Sequence, residues 1–204
     1  MKRATIAAIL FAAGMSTADA ASISRTYSYF SIGGTTLEEI ETELSRRGPQ
    51  LRGTGTRHPG ATRMEFTTRL GYGQGDGFCR ITQARVTVKA DMILPRWRQR
   101  GRADTDTQLI WDTLSSDIKR HEESHVVIAR THASELEQAL LAIPRRKDCE
   151  TVAARAKEIT AEVLARHDAA QARFDRIEGI NFESRMLRLL RYRLEQMERG
   201  RTPG

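Results

Sequence analysis

Hydrophobic residues repeat at two different spacings along the chain, and the change between the two spacings divides it into two parts. In the first part, partly alternating stretches at 27–32, 64–72 and 80–94 predict three β-strands, because successive side chains of a strand point to opposite faces of a sheet. From residue 110 onward, apolar residues recur at spacings of three and four, which is the period of an α-helix. The sequence therefore predicts an α+β fold, with a β-rich N-terminal part and a helical C-terminal part.

Glycine and proline residues mark the ends of the predicted elements. Gly48-Pro49 ends a short helix inside the β-rich part, and a loop is predicted at 53–60. Glycines at alternate positions between residues 71 and 77 predict a turn-rich connection between the second and third strands. Pro95 is expected to end the third strand.

The short helix also carries a start signal. The Thr36 side chain can accept a hydrogen bond from the backbone of Glu39, and the Glu39 side chain can return one, which makes a capping box. Three apolar residues share one face of this helix and are expected to be buried: Leu37, Ile40 and Leu44.

Two long helices are predicted in the C-terminal part. The first ends at Pro144, and the second begins after Asp148, which is a good N-cap, and breaks at Gly179. We expect the two helices to pack antiparallel about a turn near Arg146, followed by an amphipathic segment at 182–197. One face of the first helix is predicted to be continuous and apolar, and consists of Ile110, Leu114, Ile118, His121, His125, Ile128, His132, Leu136, Ala139 and Ile143.

The first 20 residues have the pattern of a secretory signal peptide. Lys2 and Arg3 precede an apolar run at 4–14, and Ala18-Asp19-Ala20 is a small-x-small cleavage signature. A membrane anchor is the alternative, but the apolar run is too short to span a bilayer. We therefore expect residues 1–20 to be removed, and residues 21–204 to form a single domain in the periplasm or outside the cell.

The charge of the chain bears on its partners. The formal net charge of +7 falls by one unit when Lys2, Arg3 and Asp19 are removed. A basic exported protein favours anionic envelope surfaces, although a solvated basic surface explains the same charge. The sequence has no Gly-rich phosphate loop and no aromatic-basic pattern that indicates nucleic-acid binding. Four arginines either contact an anionic glycan or lipid or form a basic stripe exposed to solvent: Arg96, Arg98, Arg100 and Arg102.

Two cysteines remain after the signal peptide, Cys79 and Cys149. An even number of cysteines in an exported protein predicts a disulfide, and two free buried cysteines are the alternative. We therefore expect one bridge between the strand region and the start of the second long helix.

The segment from His121 to His125 has the sequence His-Glu-Glu-Ser-His, an HExxH motif. Histidines at positions i and i+4 of a helix project from the same side, so that both imidazoles can bind one Zn²⁺ ion. Glu122 follows the first histidine and can act as general base towards a water on the metal. The motif therefore predicts a zinc site with His121 and His125 as ligands and Glu122 as the catalytic residue.

A zinc site of this kind has three protein ligands, so a third must come from elsewhere. His132 lies on the same predicted face, but seven residues after His125 is about 10 Å along an unbroken helix, and an imidazole cannot span that gap. The predicted helix pairing instead places His167 near the motif, with Asp175 and Glu178 about two turns further on. The residues alone leave the third ligand open among these three.

Several of these features together resemble a family of exported bacterial proteins of unknown function that are described as secreted zinc-dependent proteases. The resemblance covers nearly the whole chain after the signal peptide. The segments that carry it are Tyr29-Phe30-Ser31-Ile32-Gly33-Gly34-Thr35-Thr36, Arg46-Arg47-Gly48-Pro49, Cys79, Ile93-Leu94-Pro95 leading to Trp111, His121 to His125, Cys149, and Phe174-Asp175-Arg176-Ile177-Glu178.

The resemblance implies zinc, the HExxH helix and the cysteine pair, and it favours Asp175 as the third ligand, since the late motif of the family is an aromatic residue followed by aspartate. Many members continue to a His-Gly pair, where this chain has Ile180-Asn181. The function expected is a zinc metallopeptidase that acts on peptide or peptidoglycan-type substrates. The alternatives are a zinc-stabilised, non-catalytic binding protein of the cell envelope and a secreted structural domain whose histidines bind no metal.

Overall fold

A three-stranded sheet and four helices form the part of the chain that the computed structural model describes, residues 21–50, 55 and 57–200. The predicted signal peptide at 1–20 and part of the predicted 53–60 loop lie outside these residues. The strands come first and the long helices follow, so the predicted α+β fold is confirmed. Within the described residues, no helix is long and apolar enough to cross a membrane.

The sheet has the strand order β1-β3-β2, with β1 at Ser22–Ile32, β2 at Ala61–Gly75 and β3 at Phe78–Trp97. β1 runs parallel to β3, and β2 runs antiparallel to it. All three strands are longer than predicted from the sequence. The added residues pair in register with a neighbouring strand, and this pairing leaves no signal in the hydrophobic pattern.

The glycines between residues 71 and 77 mostly belong to β2, which corrects the predicted turn-rich connection. Gly75 pairs with Phe78, so the hairpin turn consists only of Asp76 and Gly77. Gly77 has a φ of 67°, a conformation that glycine adopts without a steric penalty. Glycines are tolerated in this part of β2 because it lies at the edge of the sheet, where the register shifts next to Gly71.

Pro95 does not end β3, because the strand continues to Trp97 and Pro95 pairs in register with Phe30 of β1. β2 begins opposite Ile93. After Ile93, the only described strand beside β3 is β1. On the opposite edge of β3, no described strand needs a backbone hydrogen bond from residue 95, so a proline is tolerated there.

Helix α1 spans Leu37–Arg47 and begins with the predicted capping box, in which Thr36 and Glu39 exchange side-chain and backbone hydrogen bonds. It ends at Gly48, as predicted. Ile40 is buried with Leu44, whereas Leu37 is exposed. The buried pair packs in a small cluster with Ile32, Trp97 and Trp111.

Helix α2 spans Thr105–Leu141 and packs mainly on β3. The buried face of α2 is rotated about the helix axis by about one residue from the predicted face. Val126 and Ala129 are buried, whereas His121 and His125 lie at the border of the buried face. The main core lies between this face, the sheet and the next helix, and includes Val86, Val88, Ala133, Leu136, Leu140, Val152 and Val163.

Helix α3 spans Cys149–Ile180, begins at the predicted N-cap Asp148, and runs antiparallel to α2. Gly179 does not break the helix, which ends at Ile180; the C-cap residue Asn181 donates hydrogen bonds back to the carbonyl of Ile177. Helix α4 follows at once at Phe182–Glu198, close to the predicted segment.

The two long helices are offset by about one turn from the predicted pairing. A symmetrical turn near Arg146 would place residue 167 opposite His125, but the structure places Gln171 there. The linker instead runs to the sheet, where Arg146 forms a backbone bridge with Cys79. Cys149 forms a disulfide with the same cysteine. This confirms the predicted disulfide and starts α3 beside the β2–β3 hairpin.

The basic segment from Arg96 at the end of β3 to Arg102 forms some of its contacts within the chain. The Arg96 guanidinium lies over the ring of Tyr29, 4.9 Å from its centroid. Arg100 forms two hydrogen bonds with the Asp112 carboxylate. Two of the four arginines considered for an anionic contact therefore have intramolecular partners.

Candidate metal centre

The two histidines of the HExxH motif meet one turn apart on α2. Their Nε2 atoms are 3.1 Å apart, and their rings pack edge to face with centroids 4.8 Å apart. The side chains are partly buried, with 25% of His121 and 12% of His125 exposed. The pair therefore presents two ring nitrogens to one point at the border between α2 and α3.

Asp175 comes from α3 and reaches the same point. Its Oδ1 atom lies 3.3 Å from His121 Nε2 and 3.1 Å from His125 Nε2. Burial alone raises the pKa of Asp175, but hydrogen bonds from the two histidines outweigh it and hold the pKa well below its usual range. A carboxylate that stays ionised between two imidazoles is a suitable ligand for a cation.

The distances within this triad fit a zinc ion. Zinc binds imidazole nitrogen and carboxylate oxygen at about 2.0–2.2 Å in tetrahedral geometry, which places neighbouring donors about 3.3–3.6 Å apart. The three donor atoms of His121, His125 and Asp175 are 3.1–3.3 Å apart. Two nitrogens and one oxygen also match the donor types that zinc selects.

The aromatic residue before Asp175 forms a wall of this site. The Phe174 ring lies 4.9 Å from the ring of His121 and 5.2 Å from the ring of His125. It restricts the orientation of both imidazoles, since neither ring can turn without losing this contact.

Glu122 is buried on the sheet side of the same pocket. Its Oε2 atom accepts a 2.8 Å hydrogen bond from the Thr62 hydroxyl on β2. Burial raises the pKa of Glu122, and the bond from Thr62 opposes that shift; the charges of His121, His125 and Asp175 are close enough to act on the same pKa. This is the setting in which a carboxylate can take up and release a proton.

Gly60 leaves room for this arrangement. A Cβ atom at position 60 would lie 2.8 Å from Ile118 Cγ2 and 2.9 Å from Glu122 Oε1. Real Cβ atoms do not approach other atoms so closely, so a larger residue at this position would require the side chain of Ile118 or Glu122, or the backbone at residue 60, to shift.

A network of opposite charges lies on the other side of His121. Glu178 Oε2 is 3.6 Å from His121 Nδ1 and is held by ion pairs with Arg120 and Arg185. Arg185, from α4, also pairs with the buried Asp117 at 2.9 Å. Glu178, one of the candidate third ligands, therefore faces the ring nitrogen that points away from the triad.

The remaining histidines lie outside the triad. His132 Nδ1 bonds the carbonyl of Ile128, and its ring lies 5.6 Å from that of His167. His167 is buried and bonds Asp168. Of the three candidate third ligands, the structure thus places Asp175 beside the two motif histidines, and His167 about two helical turns away from Asp175 on α3.

Several residues of the site were missed or passed over in the sequence. Gln171 lies four residues after His167 and four before Asp175 and contacts His125, so its helical spacing was an available signal. Arg185 and Asp117 gave no local signal, because their pairing depends on how α4 returns to α2. His58, interpreted as a loop residue, lines the same pocket.

The pocket has a cavity volume of 490 Å³. The triad and Glu122 lie along one side, and apolar side chains form much of the remainder, among them Pro59, Met64, Ile118 and Phe182. The volume lies within the range of small-molecule and peptide-side-chain sites.

Comparison with known proteins identifies a family whose function is unknown. The family described as bacterial protein of unknown function, DUF922, matches residues 27–183. This range contains the complete triad, Glu122 and the disulfide. No curated protein and no solved structure matches the chain.

Proposed function

We propose that this chain, which belongs to the DUF922 family of bacterial proteins of unknown function, is a secreted zinc-dependent metallopeptidase that hydrolyses peptide or amide bonds. The proposal depends on one observation: residues suited to bind a metal ion and a residue suited to transfer protons line the same pocket. His121, His125 and Asp175 form a compact group that could hold a metal ion, and the buried carboxylate of Glu122 lines the same cavity.

The three donors would hold the ion through His121 Nε2, His125 Nε2 and Asp175 Oδ1. A zinc ion in such a site makes water a stronger nucleophile near neutral pH and polarises a carbonyl group. A set of three protein donors would match catalytic zinc sites, whereas structural zinc sites have four protein ligands.

Glu122 supplies the proton transfers that amide hydrolysis needs. Its carboxylate would accept a proton from the attacking water and pass it to the leaving amine. The bond from Thr62 fixes the orientation of the carboxylate, and its burial keeps bulk water from competing for the proton. In a non-catalytic zinc protein, this buried acidic group would have no task to offset the cost of its desolvation. Glu122 is therefore the residue that favours an enzyme over the alternative, a zinc-stabilised binding protein.

The surroundings of the site favour a peptide-like substrate. Apolar walls around the cavity suit the side chains of a peptide or of a peptidoglycan stem peptide, while the donor set faces the scissile bond. The disulfide is typical of an oxidising compartment, which supports the periplasm or the outside of the cell as the place of action. The net positive charge supports a location near anionic envelope surfaces.

Substitution of Glu122 by glutamine tests this proposal. Glu122→Gln keeps the size of the side chain and removes the base, so zinc content and folding should stay unchanged while turnover falls about 10²-fold or more. Glu123→Gln is the matched control, because Glu123 is the next residue and its side chain is largely outside the pocket. Hydrolysis of a peptide library and of peptidoglycan fragments by the zinc-loaded protein gives the measurement.

Two results would contradict the proposal. Equal turnover by the wild type and Glu122→Gln would exclude Glu122 as the base. A wild type that binds zinc but cleaves no member of either panel would favour the non-catalytic binding protein.

A further inference from the structure

A chain of hydrogen bonds leads away from the candidate metal centre on the far side of His125. His125 Nδ1 lies 2.6 Å from Gln171 Oε1, and Gln171 Nε2 lies 2.8 Å from His167 Nε2. His167 Nδ1 in turn lies 2.9 Å from Asp168 Oδ1. Three consecutive contacts thus connect a candidate zinc ligand, through a partly buried amide and a buried imidazole, to an exposed carboxylate.

One backbone atom fixes the direction of these bonds. Gln171 Nε2 also donates to the carbonyl oxygen of His125, at 3.1 Å. A carbonyl oxygen can only accept, so the amide nitrogen must face it, and the amide oxygen must face the His125 ring. An amide oxygen also only accepts, so His125 Nδ1 is the donor and carries a proton. His125 Nε2 faces Asp175 Oδ1 at 3.1 Å, and any proton it donates there is the one that a metal ion would displace, while the Nδ1 proton remains bonded to Gln171.

The same reasoning fixes His167. Its Nε2 accepts the second hydrogen of the Gln171 amide, so its proton is on Nδ1 and is donated to Asp168. Burial lowers the pKa of His167, against the opposing effect of Asp168, which keeps this ring uncharged and able to accept. The Phe66 ring packs on it edge to face, 4.9 Å away.

We propose that Gln171 and His167 are positioning residues for the metal centre: Gln171 holds His125 as the Nδ1-protonated tautomer with Nε2 available for a metal ion, and His167 holds the Gln171 amide in the orientation that does so. The presence of a metal ion in this proposal rests on the proposed function. The hydrogen bonds of Gln171 are independent of it, because they are present in the structure. Metal-binding histidines commonly donate their second ring nitrogen in this way, and loss of the partner typically costs 10–100-fold in metal affinity.

Zinc affinity, measured by competition with a chelator, is the first test. Gln171→Leu keeps a similar volume without an acceptor and should weaken zinc binding about 10–100-fold. Gln171→Glu retains an acceptor for His125 Nδ1 but loses the donor to the His125 carbonyl and to His167, so it should lose less zinc affinity than Gln171→Leu. His167→Phe keeps an aromatic ring beside Phe66 and should have a smaller effect than Gln171→Leu, because the backbone carbonyl of His125 still orients the amide.

Gln138→Leu is the matched control, since Gln138 is exposed on α2 and the same substitution there should leave zinc affinity unchanged. Circular dichroism of each variant checks that it is folded. A folded Gln171→Leu that binds zinc as tightly as the wild type would overturn the proposal. So would equal losses in Gln171→Leu and Gln171→Glu.

The second test uses the metal-free protein. ¹⁵N NMR of the ring nitrogens shows whether Nδ1 of His125 carries a proton. The wild type should have His125 protonated at Nδ1, and Gln171→Leu should have a smaller fraction protonated there. A wild-type His125 without a proton on Nδ1 would overturn the inference. A wild type that fails to bind zinc but shows the expected proton on Nδ1 would contradict the proposed function alone.

Discussion

The Thr62 hydroxyl on β2 donates a 2.8 Å hydrogen bond to the Glu122 carboxylate on α2. This contact joins the sheet to the proposed general base across 60 residues of sequence. It also accounts for how a carboxylate can be buried on the side of the HExxH helix that packs on the sheet, since a buried acidic group needs a hydrogen-bond donor.

Thr62→Val should therefore impair catalysis without loss of zinc. The substitution keeps the shape of the side chain and removes the donor, so Glu122 would be free to leave its catalytic orientation. A hydrogen bond to a charged group contributes about 1.5 kcal/mol, which corresponds to roughly tenfold in turnover. Thr67→Val, at an exposed position of the same strand, is the control and should leave turnover unchanged. Identical kinetics of the two variants would mean that Thr62 does not orient the base.

A second prediction concerns the ligands. The wild type should bind one zinc ion per chain, and alanine at His121, His125 or Asp175 should abolish stoichiometric binding, because each removes one of three donors. His132→Ala should retain zinc, as its ring faces His167 instead. Inductively coupled plasma mass spectrometry after dialysis gives the metal content. If Glu178→Ala strips the ion and Asp175→Ala does not, then Glu178 is the third ligand.

The sequence predicted correctly those features that depend only on residues close together in the chain. The capping box at Thr36 and Glu39, the N-cap Asp148 and the i, i+4 pair His121 and His125 are all defined within a few residues of chain, and each lies where it was predicted. Such signals survive because hydrogen bonding over one helical turn does not depend on the remainder of the fold.

The rest of the site depends on contacts between distant elements. The position of α3 along α2 is set by the disulfide and by the bridge between Arg146 and Cys79, so spacing alone placed His167 where Gln171 lies. Asp175 was favoured by resemblance to a family and not by helix geometry. The contact between Thr62 and Glu122 requires the packing of β2 on α2, which no local pattern encodes.

The disulfide gives a third prediction, about stability. Cys79 and Cys149 are separated by 70 residues, and the chain-entropy model assigns about 4 kcal/mol to a bridge that closes a loop of this length. Replacement of both cysteines by serine should lower the free energy of unfolding by up to that amount. Urea denaturation of the two proteins measures the difference. A reduced wild type that is as stable as the oxidised protein would contradict the expectation.

The last prediction concerns Asp117 and pH. Asp117 is buried on α2 and pairs with Arg185 of α4, which also holds Glu178 beside His121. Asp117→Asn removes the buried carboxylate that pairs with both Arg185 and Arg120 and leaves Glu178 as their remaining partner, so it should destabilise the protein by about 3 kcal/mol near pH 7. Asp112→Asn is the matched control, because it breaks a more exposed pair with Arg100 and should cost less than about 1 kcal/mol.

The pH dependence of this difference follows from the pKa of Asp117. Burial alone raises that pKa, but hydrogen bonds from Arg185 and Arg120 outweigh it, so the pKa in the folded protein lies below its ordinary value of 3.8. The folded protein then binds fewer protons at this group than the unfolded chain does. Its contribution to stability is therefore complete above the ordinary pKa and is lost as the pH falls towards the folded-state pKa. Urea denaturation of the wild type and Asp117→Asn should show the same difference at about pH 7 and pH 5, and a smaller one at about pH 3. A difference that shrinks already between pH 7 and pH 5 would show that a different group, with a higher pKa, supports the pairing of α2 with α4.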